Sequence, residues 1–340
     1  MRKLASIQKI KYIKPIEGAD NIETVGILGW ECVSKKGEFQ PDDICLYIEI
    51  DSLLPEIPEF EFLRKSCWNE SFKKFRLKTI KLKKQISQGL ALPISVFPKL
   101  AGLNVGTDVT ELLGIEKYEP PIPATIVGDA RSFSWPISKT DEVRVQLDDE
   151  YKFIETLTGR PYYISLKLDG TSSTFLIDPS DETFHVCGRN YSYKRNDDHS
   201  FWKIADRYNI EQGLRGFWNS GRKIALQGEV VAPGVQKNPL NLPIADLYVF
   251  NVVDISTNTR LCLSESLEIV DRLGLKFVPV LEKGESFDYT VDDLLELAQG
   301  KYITHFSSAK SSQEREGIVI RDLCGTISFK AISNRFLLKE

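Results

Sequence analysis

No apolar run in the 340 residues approaches the roughly 20 needed to span a bilayer, so no membrane segment is expected. The start, Met1-Arg2-Lys3-Leu4, leads into alternating charged and apolar residues, unlike the apolar stretch of a secretion signal. An intracellular setting follows, the cytoplasm being preferred over the nucleus. Cys32, Cys45, Cys67, Cys187, Cys262 and Cys324 stand singly, with no C-x-x-C pair. No zinc site is expected, and the thiols are expected to be reduced. The histidines, His185, His199 and His305, lie far apart without ligand spacing, so none is read as catalytic. Repeats and low-complexity tracts are also missing. What remains is the composition of a globular chain, 42% hydrophobic and 27% charged, long enough for two domains.

The net charge of -4 hides an asymmetry. Residues 1–115 carry 17 Lys/Arg against 15 Asp/Glu, whereas the remainder carries 27 against 33. Lys73, Lys74, Arg76, Lys78, Lys81, Lys83 and Lys84 form a run without an acid. Such a run binds phosphates locally on a near-neutral domain, or decorates a solvated edge against aggregation.

Residues 1–115 read as strands. Ala5–Lys14, Gly26–Ser34 and Asp43–Ile50 are β-rich runs separated by turn signals at Lys36-Gly37 and Pro41-Asp42. Phe75–Lys78 and Ile80–Lys83 alternate apolar and basic residues, which directs one face to a core and a cationic face to solvent. Several short strands in about a hundred residues suggest a small OB-like β-barrel. Pro120, Pro121, Pro123 and Pro136, with Gly128, mark a linker over 116–138. Residues 139–340 mix strands and helices, predicting an α+β domain built on antiparallel sheets. Tyr162–Leu168 and Thr171–Ile177 read as strands joined by a tight Asp169-Gly170 turn. Ile224–Val231, Leu247–Ile255, Glu316–Arg321 and Thr326–Ile332 read as further strands. Leu263–Leu273 has helical spacing, and Thr290-x-x-Asp293 predicts a capping box before a helix that Gly300 ends.

The chemistry centres on Lys167-Leu168-Asp169-Gly170. A lysine on an apolar strand is unusual, since Lys is seldom buried unpaired. It becomes a nucleophile only if its amine moves from about 10.4 toward neutrality. Nearby cations, a divalent ion or desolvation supply that change. In isolation the tetrapeptide is weak evidence and reads better as a hairpin turn with a solvent-reaching lysine.

In this company the chain resembles the covalent nucleotidyltransferases, the ATP-dependent ligases and messenger-RNA capping enzymes. Lys167-x-Asp169-Gly170 matches motif I. Gly188-Arg189-Asn190 looks like motif Ia, and Gln227-Gly228-Glu229 is similar to motif III. Leu247-Tyr248-Val249-Phe250 resembles motif IIIa, Glu316-Gly317-Ile318-Val319-Ile320-Arg321 motif IV, and Ser328-Phe329-Lys330 motif V. Each is weak alone; the ordered set is specific. The resemblance implies that Lys167 carries the nucleotide and that Asp169, Glu316 and Glu229 serve a divalent ion, Mg2+ or Mn2+. Lys330 is implied at the α-phosphate of ATP, and Arg189 at a phosphate or a nucleic-acid end. Glu229 also suits a ribose hydroxyl, and Phe250 suits stacking on adenine. Lys139–Gln146 resembles the stretch before the core of RNA ligases, with Arg144 near the nucleotide. Otherwise Phe250 is core, Arg189 a turn cation, and Glu229 and Glu316 exposed strand residues.

Domain order narrows the family. Only ten residues follow Lys330, so no OB domain fits after motif V. The candidate barrel precedes motif I, which resembles RNA ligases with an N-terminal OB domain. Pro15–Asp20, Glu49–Pro55 and Gln85–Leu90 carry that likeness. It implies ATP-dependent sealing of 3′-OH/5′-phosphate nicks in RNA-containing duplexes by a monomer, through a lysyl-AMP and a 5′-adenylylated end. Lys74, Arg76, Lys78, Lys81 and Lys83 are expected to hold the duplex backbone. The alternatives are a DNA ligase, a capping guanylyltransferase, or a non-catalytic OB-type nucleic-acid-binding protein. Two positions depart from the family: Ile332 stands where many members have a second motif V lysine, which Lys339 or nothing replaces. Ser165 stands where an acid is common, so adenine is inferred from the ligase likeness alone.

Overall fold

The computed structural model describes residues 3–119, 130–131 and 135–339. Pro120, Pro121, Pro123 and Gly128, on which the linker expectation rests, lie outside them. The chain divides into two compact units. One comprises the chain up to residue 121 with Gln146–Lys152 and the segment from Leu337 onward; the other comprises residues 122–145 and Phe153–Phe336.

The first unit is made of short antiparallel strands. Ile44–Ile48 pairs with Ala5–Lys9 on one side and Leu90–Pro93 on the other. Tyr12–Pro15, Ile22–Ile27 and Trp30–Lys35 form a meander. Glu116–Lys117, Ser52–Leu54, Lys74–Arg76 and Trp68–Asn69 form a third sheet. Ile7, Leu46, Ile48, Leu54, Phe60, Phe75, Leu92 and Phe97 share one core.

Two of the expected strands are divided. Ala5–Lys14 breaks after Lys9 and its halves enter different sheets. Gly26–Ser34 reverses at Leu28-Gly29, where Leu28 takes φ 55°. A side chain at Gly29 would lie 2.8 Å from the Gln146 Cα, and the Gly29 N–H donates to the Gln146 carbonyl at 2.8 Å. That long-range approach, invisible to local periodicity, requires the glycine. In the basic stretch, Phe75 and Leu77 are buried, Lys74 and Arg76 are half-buried and Lys78 is exposed, the alternation that the sequence predicts. Ile80–Leu82 departs from it. This strand forms a small hairpin with Gln85–Ser87, turned by Lys83 and Lys84 at positive φ, and Ile80 and Leu82 are exposed beside Lys81.

The second unit contains two main sheets. The smaller runs Val143–Arg144, Ser328–Ile332, Gly317–Asp322, Tyr162–Lys167, Val280–Gly284. The larger includes Phe184–Cys187, Thr171–Ile177, Ile224–Val231 and Asp246–Asp254 as neighbours. Tyr162–Lys167 and Thr171–Ile177 therefore do not form the expected hairpin: each pairs within a different sheet. Leu168-Asp169-Gly170 is the crossing between the sheets, and Gly170 is required by close approach. A Cβ there would stand 2.4 Å from the Val230 carbonyl oxygen.

The helix expected at Leu263–Leu273 spans Leu263–Arg272, and the Thr290–Asp293 capping box is present before Val291–Leu297. Two further helices, Ser200–Arg207 and Ile210–Asn219, bring Phe201, Trp202, Ile204, Leu214 and Phe217 into the core of the larger sheet. Their apolar residues recur at helical spacing, the signal by which they are readable in sequence. The expectation of six reduced thiols fails at one pair: Cys262, before the helix Leu263–Arg272, is disulfide-bonded to Cys324 in the turn between the strands ending at Asp322 and starting at Ser328. The two are 62 residues apart, so sequence spacing gave no hint of the pairing. Among the described residues no helix is long and apolar enough to cross a membrane.

Candidate active site

Strand register assembles the site. Paired residues in neighbouring strands project from the same sheet face. Lys167 pairs with Gly317 and Gly317 with Ile332, forming one row. Ser165, Val319, Lys330 and Arg144 form the next, and Tyr163, Arg321 and Ser328 the third. Motifs I, IV and V thus share one face, with Arg144 directly beside Lys330. Ile332 lies in the row of Lys167 and is buried, so this row carries an aliphatic group where a second lysine is common.

At the end of its strand the Lys167 Nζ lies 2.8 Å from each carboxylate oxygen of Glu316. Burial works to discharge the amine, but Glu316, Glu229 and Asp169 outweigh it and hold the amine above its ordinary value. Lys167 is thus held charged, opposite to the depressed amine expected of a nucleophile. Glu229 accepts from the Gly170 N–H at 3.0 Å, which ties the larger sheet to the crossing. Burial pushes the Glu229 carboxyl up to about 7; the Lys167 charge opposes this and the Glu316 charge adds to it. Carboxylates are therefore crowded around one cation. They are not drawn to ligand spacing: among the described residues, the group with three ligand atoms mutually within 4.8 Å is Asp178, Asp181 and His185, elsewhere in the unit.

Phe250 owes its setting to a β-bulge. Gln227 pairs with Asn251 and Gly228 with Val249, which leaves Phe250 as the extra residue. Bulges re-aim side chains beside sites. The Phe250 ring is half-buried, next to the cluster containing Leu166, Leu168 and Tyr248. Arg189, in the turn after Phe184–Cys187, bonds Asp141 at 2.6 and 2.8 Å, and Lys139 bonds Asn190 at 3.0 Å. The stretch before the core therefore docks on the motif Ia turn.

A second set of charges was missed from sequence. Arg321 is 2% exposed and donates to the Phe250 carbonyl at 2.9 Å, to Glu142 at 3.0 Å and to the Ser328 hydroxyl at 2.8 Å. Glu142 also accepts from Arg260 at 3.0 Å. Burial acts to raise the Glu142 carboxyl, yet the Arg321 and Arg260 charges outweigh it and hold it below the usual carboxylate range. Arg321 so links the two sheets beside the bulge. The available signal was the arginine closing an otherwise apolar strand. An open cavity of about 260 Å³ lies beside Arg260, Gln227 and Thr326 rather than at Lys167.

The cations assigned to nucleic acid lie in the first unit and divide in two. Lys74 is paired with Glu116 at 2.6 Å, and the Arg76 guanidinium lies 3.5 Å over the Tyr118 ring. Lys78, Lys81 and Lys83 are exposed.

Known proteins are similar to this chain in sequence and in fold. An OB-fold domain family matches residues 4–94, and the RNA ligase family matches residues 160–339. No curated protein matches the chain. Among solved structures, a lysine-to-alanine variant of the Naegleria gruberi RNA ligase with ATP and Mn is 37% identical with a TM-score of 0.90, covering 99% of each chain. A glutamate-to-alanine variant of that ligase with AMP and Mn is 38% identical with a TM-score of 0.90, covering 100% of this chain and 99% of the other. The same ligase with PPi is 37% identical with a TM-score of 0.88, at 100% and 99% coverage.

Proposed function

The chain belongs to the RNA ligase family, with an OB-fold domain ahead of the ligase domain, and we propose that it takes AMP from ATP onto Lys167 and seals 3′-OH/5′-phosphate nicks in RNA-containing duplexes. The observation that carries this reading is the Lys167 amine at the crossing between two sheets, 2.8 Å from Glu316, in a face that also presents Lys330 and Arg144. Similar proteins with ATP and Mn support the choice of nucleotide and metal.

Asp169, Glu229 and Glu316 offer the oxygen donors that suit Mg2+ or Mn2+, and a cation there would oppose the burial, and then the Glu316 charge, that raise the Glu229 carboxyl. When bound there, such an ion supplies positive charge to the triphosphate. The chain's own residues do the rest. Once deprotonated, the Lys167 amine attacks the α-phosphorus and the bond to pyrophosphate breaks. Lys330 and Arg144 offset charge on the phosphate oxygens as it builds. Phe250 stacks on adenine. A 5′-phosphate oxygen then attacks the lysyl-AMP phosphorus, releasing the Lys167 nitrogen and forming a 5′–5′ pyrophosphate end. Finally the 3′-OH attacks the 5′ phosphorus, AMP leaves, and the phosphodiester is complete.

Residues 139–340 carry adenylylation in this reading, and residues 1–115 hold the duplex through Lys74, Arg76, Lys78, Lys81 and Lys83, the last three being the exposed contributors. Intact-mass measurement after incubation with ATP and Mn tests the reading. The wild type is expected to gain one AMP at Lys167 and Lys167→Ala to gain none. AMP at another residue, or none on the wild type, refutes it.

A further inference from the structure

Tyr302 belongs to no motif and has no exposed surface. Its ring packs among Leu166, Leu168, Val231, Leu240, Tyr248 and Val278. Its hydroxyl meets the backbone on both sides of the reacting lysine. It donates to the Lys167 carbonyl at 3.0 Å and accepts from the Asp169 N–H at 2.9 Å. It also accepts from the Glu316 N–H at 3.1 Å. A phenol offers one donor and two acceptor lone pairs, so all of its capacity is used.

The location matters more than the number of bonds. The ladder between Tyr162–Lys167 and Gly317–Asp322 ends at the pair Lys167 and Gly317. One residue further the two chains diverge, toward Asp169 on one side and Glu316 on the other. The phenol oxygen stands at that divergence and bridges the chains where the ladder stops. The residues bridged are the nucleophile candidate, the carboxylate paired with it and the motif I aspartate.

The tyrosine is itself held firmly. The Lys301–Glu314 bridge joins its segment to the stretch leading into Glu316. Arg315 donates to the carbonyls of Leu297, Ala298 and Gln299, capping the helix Val291–Leu297. Burial and then the Glu316 charge push the Tyr302 phenol well above its ordinary value.

We propose that the Tyr302 hydroxyl is a positioning group for nucleotide transfer, fixing the Lys167 amine relative to Glu316 and Asp169 through three backbone bonds. The inference rests on the reading of Lys167 as the residue that takes AMP. A buried tyrosine serving packing alone needs one partner for its hydroxyl; this one joins three groups from the two chains at the end of the ladder between them, where strand pairing stops.

The test is Tyr302→Phe in the full chain, which keeps the ring in its core. Three quantities are compared with wild type: single-turnover protein-AMP formation over a range of ATP concentrations with Mn, sealing of a nick whose 5′ end already carries AMP, and thermal unfolding. A misplaced nucleophile lowers the maximal adenylylation rate by about 10²-fold. The half-saturating ATP concentration and the sealing of the pre-adenylylated nick stay within about threefold, because the latter step uses the RNA 3′-OH as nucleophile. Adenylylation within about threefold of wild type overturns the proposal. So does a parallel loss of adenylylation, sealing and melting temperature, which makes the hydroxyl a support of the fold alone. Absence of AMP from the wild type instead sinks the Lys167 reading, so the two failures are told apart.

Discussion

Replacing Glu229 by Gln should make the protein more stable and less active, with the gain in stability appearing only as pH rises. Burial and the neighbouring Glu316 carboxylate raise the Glu229 carboxyl from 4.5 to about 7, even with the Lys167 charge opposing. The native state therefore holds this proton more tightly than the unfolded chain does. Between these two pH values the folded protein binds more protons, so stability falls as pH rises through the interval. At about 1.36 kcal/mol per pH unit, the wild type gives up about 3 kcal/mol by pH 8. Glutamine has no such proton, while its amide oxygen still accepts from Gly170. Urea unfolding of wild type and Glu229→Gln at pH 5, 6, 7 and 8 measures the gap. It should be about 1 kcal/mol or less at pH 5 and open to about 3 kcal/mol by pH 8, with the glutamine variant above wild type. Parallel stabilities over that range, or a gap of opposite sign, would refute the crowding of carboxylates around Lys167. Adenylylation should meanwhile fall, as expected where a functional site stores unfavourable charge.

Two further outcomes follow from the charge arrangement. Lys78→Ala with Lys81→Ala should weaken binding to a nicked RNA-containing duplex and lower the slope of log K against log salt by about 2, leaving protein-AMP formation unchanged; an equal loss of adenylylation would remove these lysines from duplex binding. Glu142→Gln should cost about 3–5 kcal/mol in urea unfolding, since Arg321 would keep a buried charge without its carboxylate; a cost below about 1 kcal/mol would mean the cluster is solvated.

The candidate site residues could be placed on strands from sequence because their spacing on each strand is local. Lys167, Gly317 and Lys330 needed only alternation and motif order to be placed on strands, and register then brings them onto one face. Phe250 was named from its motif, but the bulge that gives it its setting depends on pairing between strands and has no local signature. The same holds for Gly170. Asp-Gly between two β runs reads as a hairpin turn, and only the sheet assignment of Thr171–Ile177 reveals a crossing. Asp141 and Glu142 were visible only as members of a charged stretch, because their partners Arg189 and Arg321 lie 48 and 179 residues away.

The charge held on the Lys167 amine has a deeper cause than topology. Sequence motifs describe a residue's part in a reaction, whereas the charge state of the resting site is set by whatever counter-charges fold around it. A motif therefore leads one to expect a depressed amine, while the three carboxylates gathered around it stabilise the ammonium. In the resting site Lys167 offsets part of the negative charge of Glu316, Glu229 and Asp169. A buried cluster of acids thus persists with the Lys167 ammonium as its counterion. In the reaction proposed above, loss of the Lys167 proton is therefore coupled to binding of a cation, since loss of the proton alone removes the positive charge that these carboxylates surround.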